Sequence, residues 1–131
     1  MPPAAILFDL DDTILTSGDP RDLWRSCIAA HRHRFDGVDA EALHAEILQV
    51  AALFWSDAER HRRGRLRIKQ ARRGIVATAA ENLGYDDSAA AVALADAYHE
   101  RRETDVVPFA GALETLQLLQ ERGIPMALVT N

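Results

Sequence analysis

Five apolar residues, Ala4, Ala5, Ile6, Leu7 and Phe8, run directly into a turn that holds three carboxylates, Asp9, Asp11 and Asp12. A short, unbroken apolar run of this kind reads as a strand buried on both faces, as in a parallel sheet. In open α/β sheets ligands bind beyond the carboxyl ends of the strands, and that is where the three acids fall. Like charges crowded into one turn repel unless a cation is close. Hard oxygen donors suit Mg²⁺, which takes one or two protein carboxylates and keeps water or substrate phosphate in its other positions. A carboxylate is also a nucleophile able to form an acyl phosphate. A second carboxylate two residues along can protonate a leaving group. The competing reading, an acidic loop capping a helix, is weakened by the apolar strand immediately before Asp9.

Behind this turn the periodicity changes from strand to helix. Asp19-Pro20 supplies an N-cap and a proline at the first helical position, and Trp24, Ile28, His31 and Phe35 follow at helical spacing. Asp39 caps a helix whose apolar face is Leu43, Ile47, Val50 and Phe54. Ser56 or Asp57 opens a basic third segment. Ile68, Arg72, Ile75, Ala79 and Leu83 continue a helix to Gly84, and Asp87 or Ser88 starts another with Val92, Ala95 and Tyr98 inward. Val106 to Phe109 breaks the pattern. Residues 111–122 form a helix with Leu113, Leu116 and Leu119 or Gln120 on one side, stopped by Gly123. Met126 to Val129 is a second apolar strand leading to Thr130 and Asn131. The layout is strand, helical block, helix, strand, with the block inserted into an α/β core.

Composition narrows the function classes. At 131 residues and 48% hydrophobic the chain can build a real core. A net charge of −5 gives no global attraction to nucleic acid or an anionic membrane. No apolar run approaches the roughly 20 residues of a membrane helix, the N-terminus lacks the basic flank of a secretory signal, and the default location is cytoplasmic. With Cys27 the one cysteine, no intrachain disulfide forms.

The segment Ile6-Leu7-Phe8-Asp9-Leu10-Asp11-Asp12-Thr13-Ile14-Leu15 resembles the first signature motif of the haloacid-dehalogenase superfamily, Asp-x-Asp-x-Thr after an apolar strand. Leu128-Val129-Thr130-Asn131 is similar to the second motif, a strand ending in Thr or Ser. Phe109-Ala110-Gly111-Ala112-Leu113 looks like the segment between cap and core. The resemblance implies a Rossmann-like parallel-sheet core (residues 1–16 and 106–131) with an inserted α-helical cap (residues 17–105) that closes over the site. It implies a Mg²⁺-dependent phosphatase of small phosphorylated metabolites. Asp9 would be nucleophile and metal ligand, and Asp11 general acid and base with its carbonyl on the metal. Thr13 would support the turn, Thr130 would bind phosphoryl oxygen, and Asn131 would orient the site. An Asp at the second motif position marks phosphatases within the superfamily. The third motif, a Lys or Arg, and the fourth, an acidic pair, normally follow the second, and Lys69 is the sole lysine. The expectation is therefore a fragment, or one half of a split protein completed by self-association or by a partner. The alternative is a non-catalytic interaction or regulatory fragment that keeps the cap and half the core.

The basic stretch Arg60, Arg62, Arg63, Arg65, Arg67, Lys69, Arg72 and Arg73 admits a cationic lid or a nucleic-acid surface. The favoured reading is a solvated helix face paired with Asp57, Glu59 and Glu81. The histidines show no zinc spacing and are expected mostly at the surface. Cys27 is expected in the core. Trp24, Phe54 and Trp55 are read as helix packing ahead of a substrate pocket.

Overall fold

The computed structural model describes residue 1 and residues 3–130. The element order is β1 (Ile6–Phe8), β2 (Leu15–Thr16), α1 (Pro20–His31), a 3-10 turn (Arg32–Arg34), α2 (Ala40–Ser56), α3 (Ala58–Leu66), α4 (Ile68–Asn82), α5 (Ser88–Thr104), β3 (Val107–Pro108), α6 (Ala112–Glu121) and β4 (Met126–Leu128). The chain divides into two compact units, a core unit of Met1–Gly18 with Asp105–Asn131 and a helical unit of Asp19–Thr104. The fold is α/β: a small parallel sheet of Rossmann-like type, with a largely helical segment inserted in sequence.

In the core unit β1 pairs in parallel with β4, Ile6 opposite Met126 and Phe8 opposite Leu128. Parallel neighbours need a crossover connection, and everything from β2 to α6 supplies it. The apolar run is not buried on both faces: Leu7, on the face opposite to Ile6 and Phe8, is 68% exposed. Side chains alternate across a strand, and among the described residues nothing covers the second face. A second, antiparallel ribbon pairs β2 with β3, Leu15 opposite Pro108 and Thr16 opposite Val107. It is extended by the Phe109 N–H donating to the Ile14 carbonyl at 2.9 Å. Gly111, at φ 80°, takes the left-handed turn that starts α6. The partly buried stripe of α6 is Ala112, Leu116 and Leu119, whereas Leu113, expected inward, is 59% exposed.

The helical unit is a ring of four helices, in which α1 packs on α2 and α5, and α4 packs on the same two. Its core joins Leu23, Trp24, Cys27 and Ile28 of α1 to Leu43 and Ile47 of α2, to Ile75, Val76, Ala79 and Ala80 of α4, and to Ala90, Ala91, Leu94, Ala95 and Tyr98 of α5. Burying each large side chain contributes about 1.5–3 kcal/mol, and the alanines of α4 and α5 let those helices approach closely. Four aspartates cap the helices as their sequence positions suggest. Asp19 accepts from Arg21 N–H, Asp39 from Ala42 N–H, Asp57 from Arg60 N–H and Asp87 from Ala90 N–H. On α3, a Cβ at Gly64 would lie 2.8 Å from the Phe54 ring and 2.9 Å from the Trp55 ring. Glycine there is what allows the two aromatics to press against the helix.

Three expectations change. Phe35 is buried, but it follows the 3-10 turn instead of extending α1. Val92 is 38% exposed while Ala91 and Ala95 carry the inward face of α5. His44 is buried, its Nε2 donating to the Arg21 carbonyl at 2.9 Å, so one histidine ties α2 to the first turn of α1.

The basic stretch is partly paired: of the acids expected, Glu59 takes part, and Asp96 joins it where Asp57 and Glu81 were expected. Glu59 takes Arg62 and Arg63, and Asp96 of α5 takes Arg73 through two 2.7 Å bonds and Lys69 at 3.5 Å. The hydrogen bonds from Arg73, and then its charge and that of Lys69, hold the Asp96 carboxyl below its ordinary range. A carboxylate lowered in the folded state contributes stability above its unfolded pKa and loses it as pH falls through the folded one. Asp96→Asn should therefore lower the melting temperature modestly at neutral pH, because the pair is partly solvent-screened. The gap to wild type should close in the acid range below about pH 4. Melts followed by circular dichroism at both pH values check this, and a gap independent of pH contradicts it.

Candidate functional site

The acidic turn is closed by main-chain hydrogen bonds. The Leu10 carbonyl accepts from both Ile14 and Leu15 N–H at 3.0 Å, and Asp12 N–H donates back to the Leu15 carbonyl at 2.8 Å. Asp11 bridges to Leu15, the first residue of β2. Asp12 sits at φ 55°, in the left-handed region that Asp tolerates better than most residues. Thr13 is exposed within this turn. Its hydroxyl makes no hydrogen bond among the described residues, so the backbone alone closes the loop.

Asp9 is the first residue beyond β1 and is exposed. Its Oδ1 accepts from Leu10 N–H at 2.9 Å, which leaves Oδ2 without a bond among the described residues. Phe8 is in register with Leu128, and Val129 N–H donates to the Phe8 carbonyl at 2.8 Å. Adjacent strands lie about 4.8 Å apart, so Asp9 and Thr130 leave the sheet at the same edge, at the carboxyl ends of neighbouring parallel strands. Asn131 lies outside the described residues. Sequence reasoning missed the β2–β3 ribbon that anchors the far side of this turn; two-residue strands paired across the whole helical insertion leave no local signal.

Electrostatically the turn is uncompensated. Asp9, Asp11 and Asp12 pair with no cation among the described residues, and the core unit carries a single basic side chain, Arg122. Two clefts of about 280 and 240 Å³ flank the sheet and α6. Both are lined by Phe8, Ile14 and Leu116, the larger also by Thr13 of the acidic turn and Thr115, and neither includes any of the three carboxylates. They lie between α6 and the Phe8 side of the sheet, and apart from those two threonines they lack the converging polar groups of a binding site.

The donor set answers what ion would fit. No cluster of three or more His, Cys, Asp or Glu side chains able to hold a metal occurs among the described residues. A closed zinc or calcium cage is therefore not formed by these side chains. Carboxylate and carbonyl oxygens of Asp9 and Asp11 alone match the sparser demand of Mg²⁺, which fills its octahedron with water and phosphate. No helix among the described residues is long and apolar enough to cross a membrane.

No curated protein matches the sequence significantly. Residues 3–131 match the family model described as haloacid dehalogenase-like hydrolase. That match spans nearly the whole chain, from the strand before Asp9 to the strand before Thr130, and the protein belongs to the haloacid dehalogenase-like hydrolases.

Proposed function

We propose that this hydrolase is a Mg²⁺-dependent phosphatase of small phosphate monoesters that works through an aspartyl-phosphate. The observation that carries the reading is the exposed Asp9 carboxylate, paired with no basic side chain among the described residues and held at a strand end in one turn with Asp11. Asp9 attacks phosphorus: a bond from its carboxylate to phosphorus forms as the ester P–O bond breaks. Asp11 delivers its proton to the departing alkoxide. In the second half, Asp11 takes a proton from water, which attacks phosphorus, releasing inorganic phosphate and the Asp9 carboxylate. Thr130 donates its hydroxyl to a phosphoryl oxygen, and the resemblance gives Asn131 an orienting role. Mg²⁺ on the Asp9 carboxylate and the Asp11 carbonyl, when bound, neutralises charge on the transferring group. Further cationic and acidic groups come from a segment or partner that completes the core, since Arg122 is the core unit's one basic side chain.

The test is hydrolysis of p-nitrophenyl phosphate by the protein together with the rest of its core. Turnover should require Mg²⁺, stop on chelation and return when Mg²⁺ is restored in excess. Hydrolysis that survives chelation, or no hydrolysis by the completed core, rules the reading out.

A further inference from the structure

We infer that the helical unit carries a binding pocket for a small organic anion, a flat apolar body bearing one carboxylate or phosphate. A cavity of about 310 Å³ opens within this unit, lined by Trp24, Leu48, Trp55, Arg72, Tyr98 and Arg102 among others. That volume falls at the small end of ligand sites, which are mostly apolar with a few placed polar groups. The aromatic wall is ordered: Trp24 and Tyr98 stack with centroids 3.6 Å apart and planes 3° from parallel. The Arg72 guanidinium lies over the Tyr98 ring, 5.3 Å from its centroid.

The two arginines set the charge of the ligand. Arg25, Arg62, Arg63, Lys69 and Arg73 each reach a carboxylate. Arg72 and Arg102 reach none within ion-pair distance among the described residues. Arg72 donates instead to His99 Nδ1. Glu103 acts on it at longer range only. Arg102 lies near enough to Tyr98 for its charge to act on the phenol. Unlike the exposed arginines of α3, Arg72 is half-buried, and burial pushes its guanidinium down from the ordinary range. A partly dehydrated guanidinium beside stacked rings is complementary to a planar anion, which it can grip with a two-pronged bond. Inorganic anions would leave the aromatic wall unused, and neutral aromatics would leave the charge unmet. Nothing in this inference depends on the chemistry at Asp9.

The chain's two tryptophans, Trp24 and Trp55, both line the cavity, so intrinsic fluorescence reports on it directly. The full chain is titrated with phenylacetate and with phenyl phosphate, in the presence of a chelator to prevent turnover. Benzyl alcohol, acetate and inorganic phosphate serve as controls. A saturable change is expected with at least one aromatic anion, and the tighter of the two identifies the head group. Each control should bind about tenfold or more weakly, the loss expected when a charged hydrogen-bond partner or the ring is missing. Arg102→Gln should weaken binding by a similar factor, and Arg60→Gln, on exposed α3, should leave it unchanged. Should Arg102→Gln fold poorly, Arg72→Lys keeps the charge but loses the fork and should also bind more weakly. Absence of saturation, equal binding of benzyl alcohol or inorganic phosphate, or undiminished binding by the arginine variants overturns the inference.

Discussion

Asp9→Asn should abolish phosphate-ester hydrolysis, with turnover falling by about 10³-fold or more, because an amide cannot attack phosphorus as a carboxylate does. The substitution is nearly isosteric, and its side-chain oxygen can still accept the Leu10 N–H that Asp9 Oδ1 accepts at 2.9 Å. The turn itself is held by the Leu10 carbonyl and by Asp12, neither of which is altered. Folding should therefore be unaffected, and an unchanged melting curve beside lost turnover separates chemistry from structure. Asp11→Asn sharpens the assignment. If Asp11 protonates the leaving group, its loss costs about 10²–10⁴-fold for an alkyl phosphate. The cost is less for p-nitrophenyl phosphate, whose leaving group departs without a proton. A variant Asp9→Asn that retains turnover would remove the nucleophile assignment, and equal losses with both substrates in Asp11→Asn would remove the acid.

Leu94→Ala should be the most damaging single truncation in the helical unit. Leu94 is fully buried on α5, in the cluster to which all four helices of the ring contribute. It lies one turn before Tyr98, whose ring is stacked on Trp24. Neighbours already fixed by stacking collapse poorly into a void, which puts the cost in the usual range of about 2–5 kcal/mol. For a unit of this size that lowers the melting temperature by roughly 10–30 °C. Both tryptophans lie in the helical unit, so their emission follows its unfolding selectively. Val92→Ala on the same helix, at a position 38% exposed, should change stability by no more than about 0.5 kcal/mol. Similar losses at the two positions would contradict the packing described for α5.

The features legible in the sequence are those written locally. Asp19-Pro20 and Asp39 announce helix starts outright, and Ser56-Asp57 and Asp87-Ser88 announce them to within one residue, because a cap acts on the next two or three residues. The acidic turn announces itself because a strand end and its carboxylates are contiguous. Features built from distant partners were hidden. β2 and β3 exist only through each other. The stripe of α6 runs through Ala112 in place of Leu113 because a small residue next to a large one gives no periodic signal of its own. Phe35 keeps its buried place although the helix ends at His31, since a 3-10 turn advances further per residue. Asp96 pairs with Arg73 and Lys69, and Arg102 joins Arg72 at a cavity; neither follows from counting along one helix.

The β2–β3 ribbon bears on how such a chain can change over evolution. Leu15-Thr16 and Val107-Pro108 are hydrogen-bonded neighbours, so the points where the chain departs from the core unit and re-enters it are already clamped together. Closing a loop between fixed points costs little more as the loop lengthens, about 0.6 kcal/mol per doubling. Whatever is spliced between Thr16 and Val107 can therefore be lengthened, shortened or exchanged for another self-folding module with little penalty to the sheet. The ribbon acts as a socket: the core half can be inherited unchanged while the inserted half diversifies.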